Sequence, residues 1–266
     1  MIKKILAYVI MFFMLQMVIT SVVVVGGIAI NGGEQKEMTG TQMVVVQCIF
    51  GFACLLWFLW RKWTPISPHF LKTKPYTLLA WCVIAALGTL VPSMWLQECI
   101  DFLPDISSSS LLKMMDSHLG YFTIAVLTPV AEEIVFRGAI LRVLLDEQER
   151  RNGSLTTKGM WLAIAISALI FGVVHLNPAQ IPHAFLIGLL LGWVYARTRS
   201  IIPGTVIHIV NNTATYLLAV AYINTPDITL SQILGGSQKY VWMSLLFSLC
   251  LLLPALFQLN LRMRKK

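Results

Sequence analysis

Apolar residues fill eight stretches of this chain, and polar residues mostly fill the gaps between them. The stretches run at 5–30, 42–60, 76–97, 119–145, 159–176, 181–196, 201–222 and 241–259. A helix needs about 20 mostly apolar residues to cross the hydrocarbon of a bilayer. The sixth stretch is short, and the fourth turns polar at its end, in DEQERRNG. The pattern predicts an all-α fold, a polytopic membrane helix bundle of about eight transmembrane helices forming a single integral membrane domain over 1–266. The opening run MIKKILAYVIMFFMLQMVITSVVVVGGIAI is far longer than the ~7–15 residues of a signal-peptide core and has no clear small-x-small cleavage site, so it reads as a retained first helix. The segment Glu98 to His118 lies between the third and fourth stretches. A short surface helix is expected there, with Ser or Asp capping LLKMM.

Composition agrees. The chain is 57% hydrophobic and 12% charged, where soluble domains sit near a quarter charged. The net charge of +8 would suit nucleic-acid binding if the cations formed one patch. They fall instead in short clusters between apolar runs, which excludes that class and reports topology. With eight spans, sixteen of the 20 lysines and arginines sort to one side, while Lys36, Lys113 and Lys239 sort to the other. This asymmetry predicts a multi-pass cell-membrane protein with both termini cytoplasmic. The five cysteines show no CxxC or metal spacing and read as small apolar residues. Trp63, Trp95 and Trp161 sit near span ends, as interfacial anchors do.

Against this background, a few polar residues are misplaced. Glu132, Glu133 and Arg137 stand some 13 residues into the fourth stretch, in AEEIVFRGAI. A charge at a helix centre costs on the order of 2.5–3.5 kcal/mol. Two unpaired glutamates would therefore cost roughly 5–7 kcal/mol, and the expected setting is a protein-lined, wet cavity. Positions i and i+4 share a helix face, so Glu133 and Arg137 are expected to pair, whereas Glu132 points about 100° away with Phe136. A purely structural ion-pair network of all three is the lesser alternative. The fifth stretch ends in FGVVHLNP, with His175 one turn after Phe171, and the seventh places His208 one turn before Asn212. Either histidine alone would read as a hydrogen-bonded helix contact. Together with two glutamates they must find one another or water. His183 reads as interfacial, and His69 and His118 as loop or boundary residues without a role.

The set EExxxR, FxxxH and HxxxN, one per apolar helix and in this order, resembles the three motifs of the CAAX prenyl endopeptidase and bacteriocin-processing family of intramembrane proteases. The matches are Glu132 to Arg137, Phe171 to His175 and His208 to Asn212, within a motif-bearing core of about 119–222. The resemblance implies an intramembrane, glutamic-type endopeptidase that hydrolyses a membrane-associated peptide or protein with an activated water, without a cofactor or metal. It implies that Glu132 is the general base and that His175 holds the same water. His208 and Asn212 would donate to the tetrahedral oxyanion, with Glu133, Arg137 and Phe171 in support. The chemistry is coherent in its own terms, since amide hydrolysis needs a base for the water and donors aimed at the developing negative oxygen. The MIKKIL start and compact length fit a bacterial member, for which a substrate other than a prenylated CAAX protein is expected. Two other readings stay open. Two histidines and a glutamate could ligate zinc, although HExxH is absent. A non-catalytic immunity or peptide-binding membrane protein would also bury such groups. Straight full-length helices would hold His175, at the outer end of its span, far from His208, near the inner end of its own. A tilted or deeply starting fifth helix is the expected remedy.

Overall fold

The computed structural model describes residues 1–34, 36–65, 76–225 and 228–263. His69, Lys72, Lys74, Arg264, Lys265 and Lys266 of the sequence reading lie outside these. Every described element is helical: α1 Ile2–Ile30, α2 Gly40–Trp60, α3 Thr77–Cys99, α4 Ser108–Met115, α5 Thr128–Glu132, α6 Arg142–Asn152, α7 Thr157–Val173, α8 Ile181–Thr198, α9 Ile202–Ala221, α10 Leu230–Ile233 and α11 Gln238–Arg262. Two π-helical segments, π1 Phe122–Leu127 and π2 Glu133–Leu141, flank α5. Each of the eight apolar stretches is thus helical. Five helices are long and apolar enough to cross a membrane: α1, α2, α3, α8 and α11. The protein is a multi-pass membrane protein. The fourth stretch is divided among π1, α5, π2 and α6, α7 has only 17 residues, and α9 is a continuous helix that carries the polar His208, Asn211 and Asn212.

Local chemistry explains the helix ends. Thr39 starts α2 with a capping box, its hydroxyl accepting from Gln42 N at 3.2 Å while its own N–H donates to the Gln42 side chain at 2.9 Å. Thr156 caps α7 through Gly159 N at 3.1 Å. Helix α6 runs past the apolar stretch to Asn152 because charges spaced three and four apart support it: Arg142–Asp146 at 3.3 Å, and Glu147 with Arg150 at 2.8 Å and Arg151 at 2.6 Å. Hydrogen bonds from Arg150 and Arg151 pull the Glu147 carboxyl down to about 2. Gly153 then ends α6 at φ 72°. The surface helix expected before the fourth stretch is α4, and its amides are capped by Asp105, which accepts from Ser107 N and Ser108 N at 3.0 Å each.

The bundle is held by close backbone approaches. Helix α3 packs on α9 and on α11, where a Cβ at Gly88 would lie 2.8 Å from Leu252 N. Helices α7 and α8 form an antiparallel pair in which Gly188 meets Ala168 and Gly192 meets Ile164. Small residues at such crossings let helices gain dispersion contacts where lipid offers no hydrophobic driving force. The π2 segment sits in the middle with all nine residues buried, whereas α1 leans on α2 and π2 and buries Tyr8.

Candidate active site

The π turns shape the site. A π-helix forms i→i+5 rather than i→i+4 bonds and is frequent at functional sites. Three side chains donate to carbonyls of π2: Thr64 to Ile134 at 2.6 Å, Ser167 to Phe136 at 3.3 Å and Arg142 Nε to Gly138 at 3.0 Å. In π1, Asn212 Nδ2 donates to Ile124 O at 3.3 Å. The π segments are thus bonded from α7, from α9, from the turn after α2 and from their own continuation into α6.

Glu133 and Arg137 pair as expected, Arg137 Nη1 to Glu133 Oε1 at 2.8 Å, with side chains 0% and 1% exposed. Arg137 also donates through Nη2 to Gly188 O at 3.3 Å and lies over the Phe171 ring at 4.4 Å. Glu133 reaches further than the sequence suggested. Its Oε1 lies 3.2 Å from His208 Nδ1. Its Oε2 has no hydrogen-bond partner among the described residues and faces Gly204, where a Cβ would lie 3.0 Å away. The bare backbone of Gly204 is what lets α9 approach the carboxylate.

Glu132 is the looser of the two glutamates. Its side chain is 15% exposed, and its Oε2 stands 3.5 Å from His208 Nε2, too long for a firm hydrogen bond. His208 is therefore flanked by two carboxylates, Nδ1 within hydrogen-bond distance of Glu133 and Nε2 facing Glu132. His175 is half-buried, with Nδ1 2.7 Å from Phe171 O. The Phe171 ring lies between the two histidines, with centroids 5.0 Å from His175 and 5.8 Å from His208. Helix α7 stops at Val173 after 17 residues, and the His175 ring turns back along it toward Phe171. Asn212 is half-buried, and its amide has a second N–H beyond the one given to Ile124. Among the described residues, no direct bond joins His175 to Glu132, or Asn212 to either glutamate.

Three residues of the site region were not legible as such. Asn177, to which the sequence reading gave no role, is buried. It donates to Asp105 at 2.9 Å and to Ser107 Oγ at 2.6 Å, and it accepts from Ile106 N at 3.3 Å. It anchors the turn after His175, where Leu176 takes the left-handed conformation at φ 53°. Burial pushes the Asp105 carboxyl up, but the bonds from Ser107, Asn177 and Ser108 outweigh it and hold the group below the usual carboxylate range. His183, read as interfacial, is within electrostatic reach of His208 and His175. Gly204 is the third. A histidine one turn into α8 and a glycine one turn before His208 were the available signals.

Comparison with known proteins follows the motifs. Residues 115–214 match the family model described as type II CAAX prenyl endopeptidase, Rce1-like. This bears out the resemblance carried by the three motifs, and the matched segment runs from the end of α4 into α9. The Rce1-like segment contains Glu132, Glu133, Arg137, Phe171, His175, His208 and Asn212, and excludes α1 to α3 and α11. The family is one of membrane proteases. No curated protein and no solved structure matches the chain.

Proposed function

We propose that this protein is an intramembrane endopeptidase that hydrolyses a membrane-associated peptide or protein with a water activated by Glu132. The observation that carries the reading is the unequal holding of the two glutamates around His208. Glu133 is locked by Arg137, while Glu132 is partly exposed and makes its nearest polar approach at 3.5 Å. A general base must be reachable by water and free to take a proton, and Glu133, wholly buried and ion-paired to Arg137, is not. In this scheme Glu132 takes a proton from water as the water oxygen attacks the scissile carbonyl. His175 orients that water from across Phe171. The carbonyl oxygen becomes an oxyanion, which His208 and the second N–H of Asn212 stabilise. The intermediate collapses, the C–N bond breaks, and the proton on Glu132 passes to the leaving amine. The basic asymmetry of the loops supports an orientation with both termini cytoplasmic. Labelling of cysteines placed in 146–158 and 98–118 checks it, with 146–158 expected inside.

The test is cleavage of a library of membrane-tethered peptides by the purified protein. Wild type is expected to cleave, and Glu132→Gln to lose turnover while keeping its folded yield. Asn212→Ala is expected to lower kcat by ~10²–10³ with little change in KM. Activity that vanishes with a chelator and returns with zinc would replace this scheme by the metal reading. Wild-type function that survives in Glu132→Gln, His175→Ala and His208→Ala would leave a peptide-binding protein.

A further inference from the structure

A second polar feature lies apart from Glu132. A cavity of about 590 Å³ opens between the first turns of α1, the end of α2 and the start of α6, lined by Lys3, Lys4, Lys62, Arg142 and Arg150 on its basic side. Tyr8 and Trp63 also line it, packed together with ring centroids 4.7 Å apart. Asp146 and Glu147 are its acids, and each already holds a cation: Asp146 is 3.3 Å from Arg142, and Glu147 is 2.8 Å from Arg150. Lys3, Lys4 and Lys62 have no ion-pair partner among the described residues. A cavity left with three uncompensated ammonium groups is built for an anion.

The backbone adds a second, independent sign. Lys62 follows the end of α2 at φ 54°, with its N–H on Leu59 O and the next N–H, of Trp63, on Phe58 O. Helix C-termini of this shape favour glycine, which carries no Cβ penalty. A lysine kept in the left-handed conformation at the rim of a basic cavity points to use of its side chain.

What lies below the cavity separates a lipid from a free anion. Lys3 and Ala7 share the face of α1 that continues as Ile10 and Met14, which are 58% and 50% exposed. A ligand seated on the lysines thus has an uncovered apolar track running from it toward the bilayer centre. The Tyr8–Trp63 wall is of the aromatic type found at the headgroup level of membrane proteins. We propose that the cavity binds the phosphate headgroup of an anionic glycerophospholipid, whose acyl chain lies along this face of α1. The proposal does not depend on the proteolytic reading.

The test uses the full chain, purified in a neutral detergent, with native mass spectrometry to count retained lipid and a thermal unfolding curve as the second readout. The probes are phosphatidylglycerol, phosphatidylcholine and inorganic phosphate. Wild type is expected to retain phosphatidylglycerol in preference to phosphatidylcholine and to unfold at higher temperature with it. Each lysine near an anionic lipid contributes about fivefold in affinity. The variant Lys3→Gln/Lys4→Gln/Lys62→Gln should therefore bind on the order of 100-fold more weakly. The matching Lys→Arg triple variant keeps the charge and should keep the lipid, which separates loss of binding from loss of fold. Equal retention of the two lipids by wild type, or undiminished retention by the Gln variant, would overturn the site. Stabilisation by inorganic phosphate as large as that by phosphatidylglycerol would overturn the lipid and leave an anion pocket.

Discussion

Helix α1 and segment π2 lie against each other and are built in opposite ways. In α1 the most apolar window is only 6% buried. In π2 a glutamate and an arginine stand among nine residues that are all buried. In a soluble protein the apolar helix would be the core and the charged one the surface. Here lipid covers the apolar helix at no cost, and the charges have nowhere to go but inward. The interior of this bundle is therefore specified by its polar groups. Arg137, Glu133, His208 and Asn177 each have neighbours chosen for them by hydrogen bonding. The outside of α1 is specified by little beyond its hydropathy.

The comparison is broken or sharpened most directly at the buried pair. Arg137→Ala or Glu133→Gln leaves a buried partner uncompensated and should cost about 3–5 kcal/mol, read as a fall in folded yield and in unfolding temperature. Glu132→Gln should leave both nearly unchanged. A loss as large in Glu132→Gln would mean that the two glutamates are not divided between structure and chemistry. Next in size is Gly204→Ala. Its methyl would meet Glu133 Oε2 at 3.0 Å, and overpacking of this kind costs about 1–3 kcal/mol, with activity falling as His208 is displaced. Asn177→Ala orphans the groups of the 105–107 turn and should destabilise by about 1–3 kcal/mol, with Leu176→Gly in the same background recovering part of the loss.

A smaller effect is expected from pH. The Asp105 carboxyl titrates lower in the folded protein than in the unfolded chain. Its contribution is complete above the unfolded value near 3.9 and is lost as pH falls through the lower folded value. Unfolding temperatures measured from pH 7 to pH 3 should show this loss in wild type and not in Asp105→Asn. The smallest effect belongs to α1: Val22→Ala, at a position 67% exposed, should stay within about 0.5 kcal/mol. A larger cost would show that α1 has a protein partner on that face.

Much of this was written in the sequence. The all-helical membrane fold followed from apolar run length, though only five helices are long and apolar enough to cross a membrane where eight were expected, and the Glu133–Arg137 pair followed from spacing alone. That pair survives the π geometry because i and i+4 remain close on the wider helix. The π turns themselves leave no such trace, since nine residues are too few to separate their period from 3.6. Spacing places His208 and Asn212 on one face of α9 but not opposite a particular neighbour, so the contact with Glu133 was not visible. Asn177 was hidden for a different reason. Its partners Asp105 and Ser107 lie about 70 residues away, in a loop whose composition looks ordinary.

The short α7 has a consequence for the membrane around it. At 1.5 Å per residue its 17 residues span about 25 Å, while the 29 residues of α1 span about 43 Å. The hydrocarbon slab is about 30 Å thick. Leu162, Leu169 and Val173 of α7 are exposed, and a helix shorter than the slab is accommodated by local thinning or by its flanking residues, a longer one by tilt. A bilayer matched to both helices would be of uneven thickness around the protein. Acyl-chain length in the host membrane would then act on the two helices in opposite directions, longer chains suiting α1 and shorter chains α7.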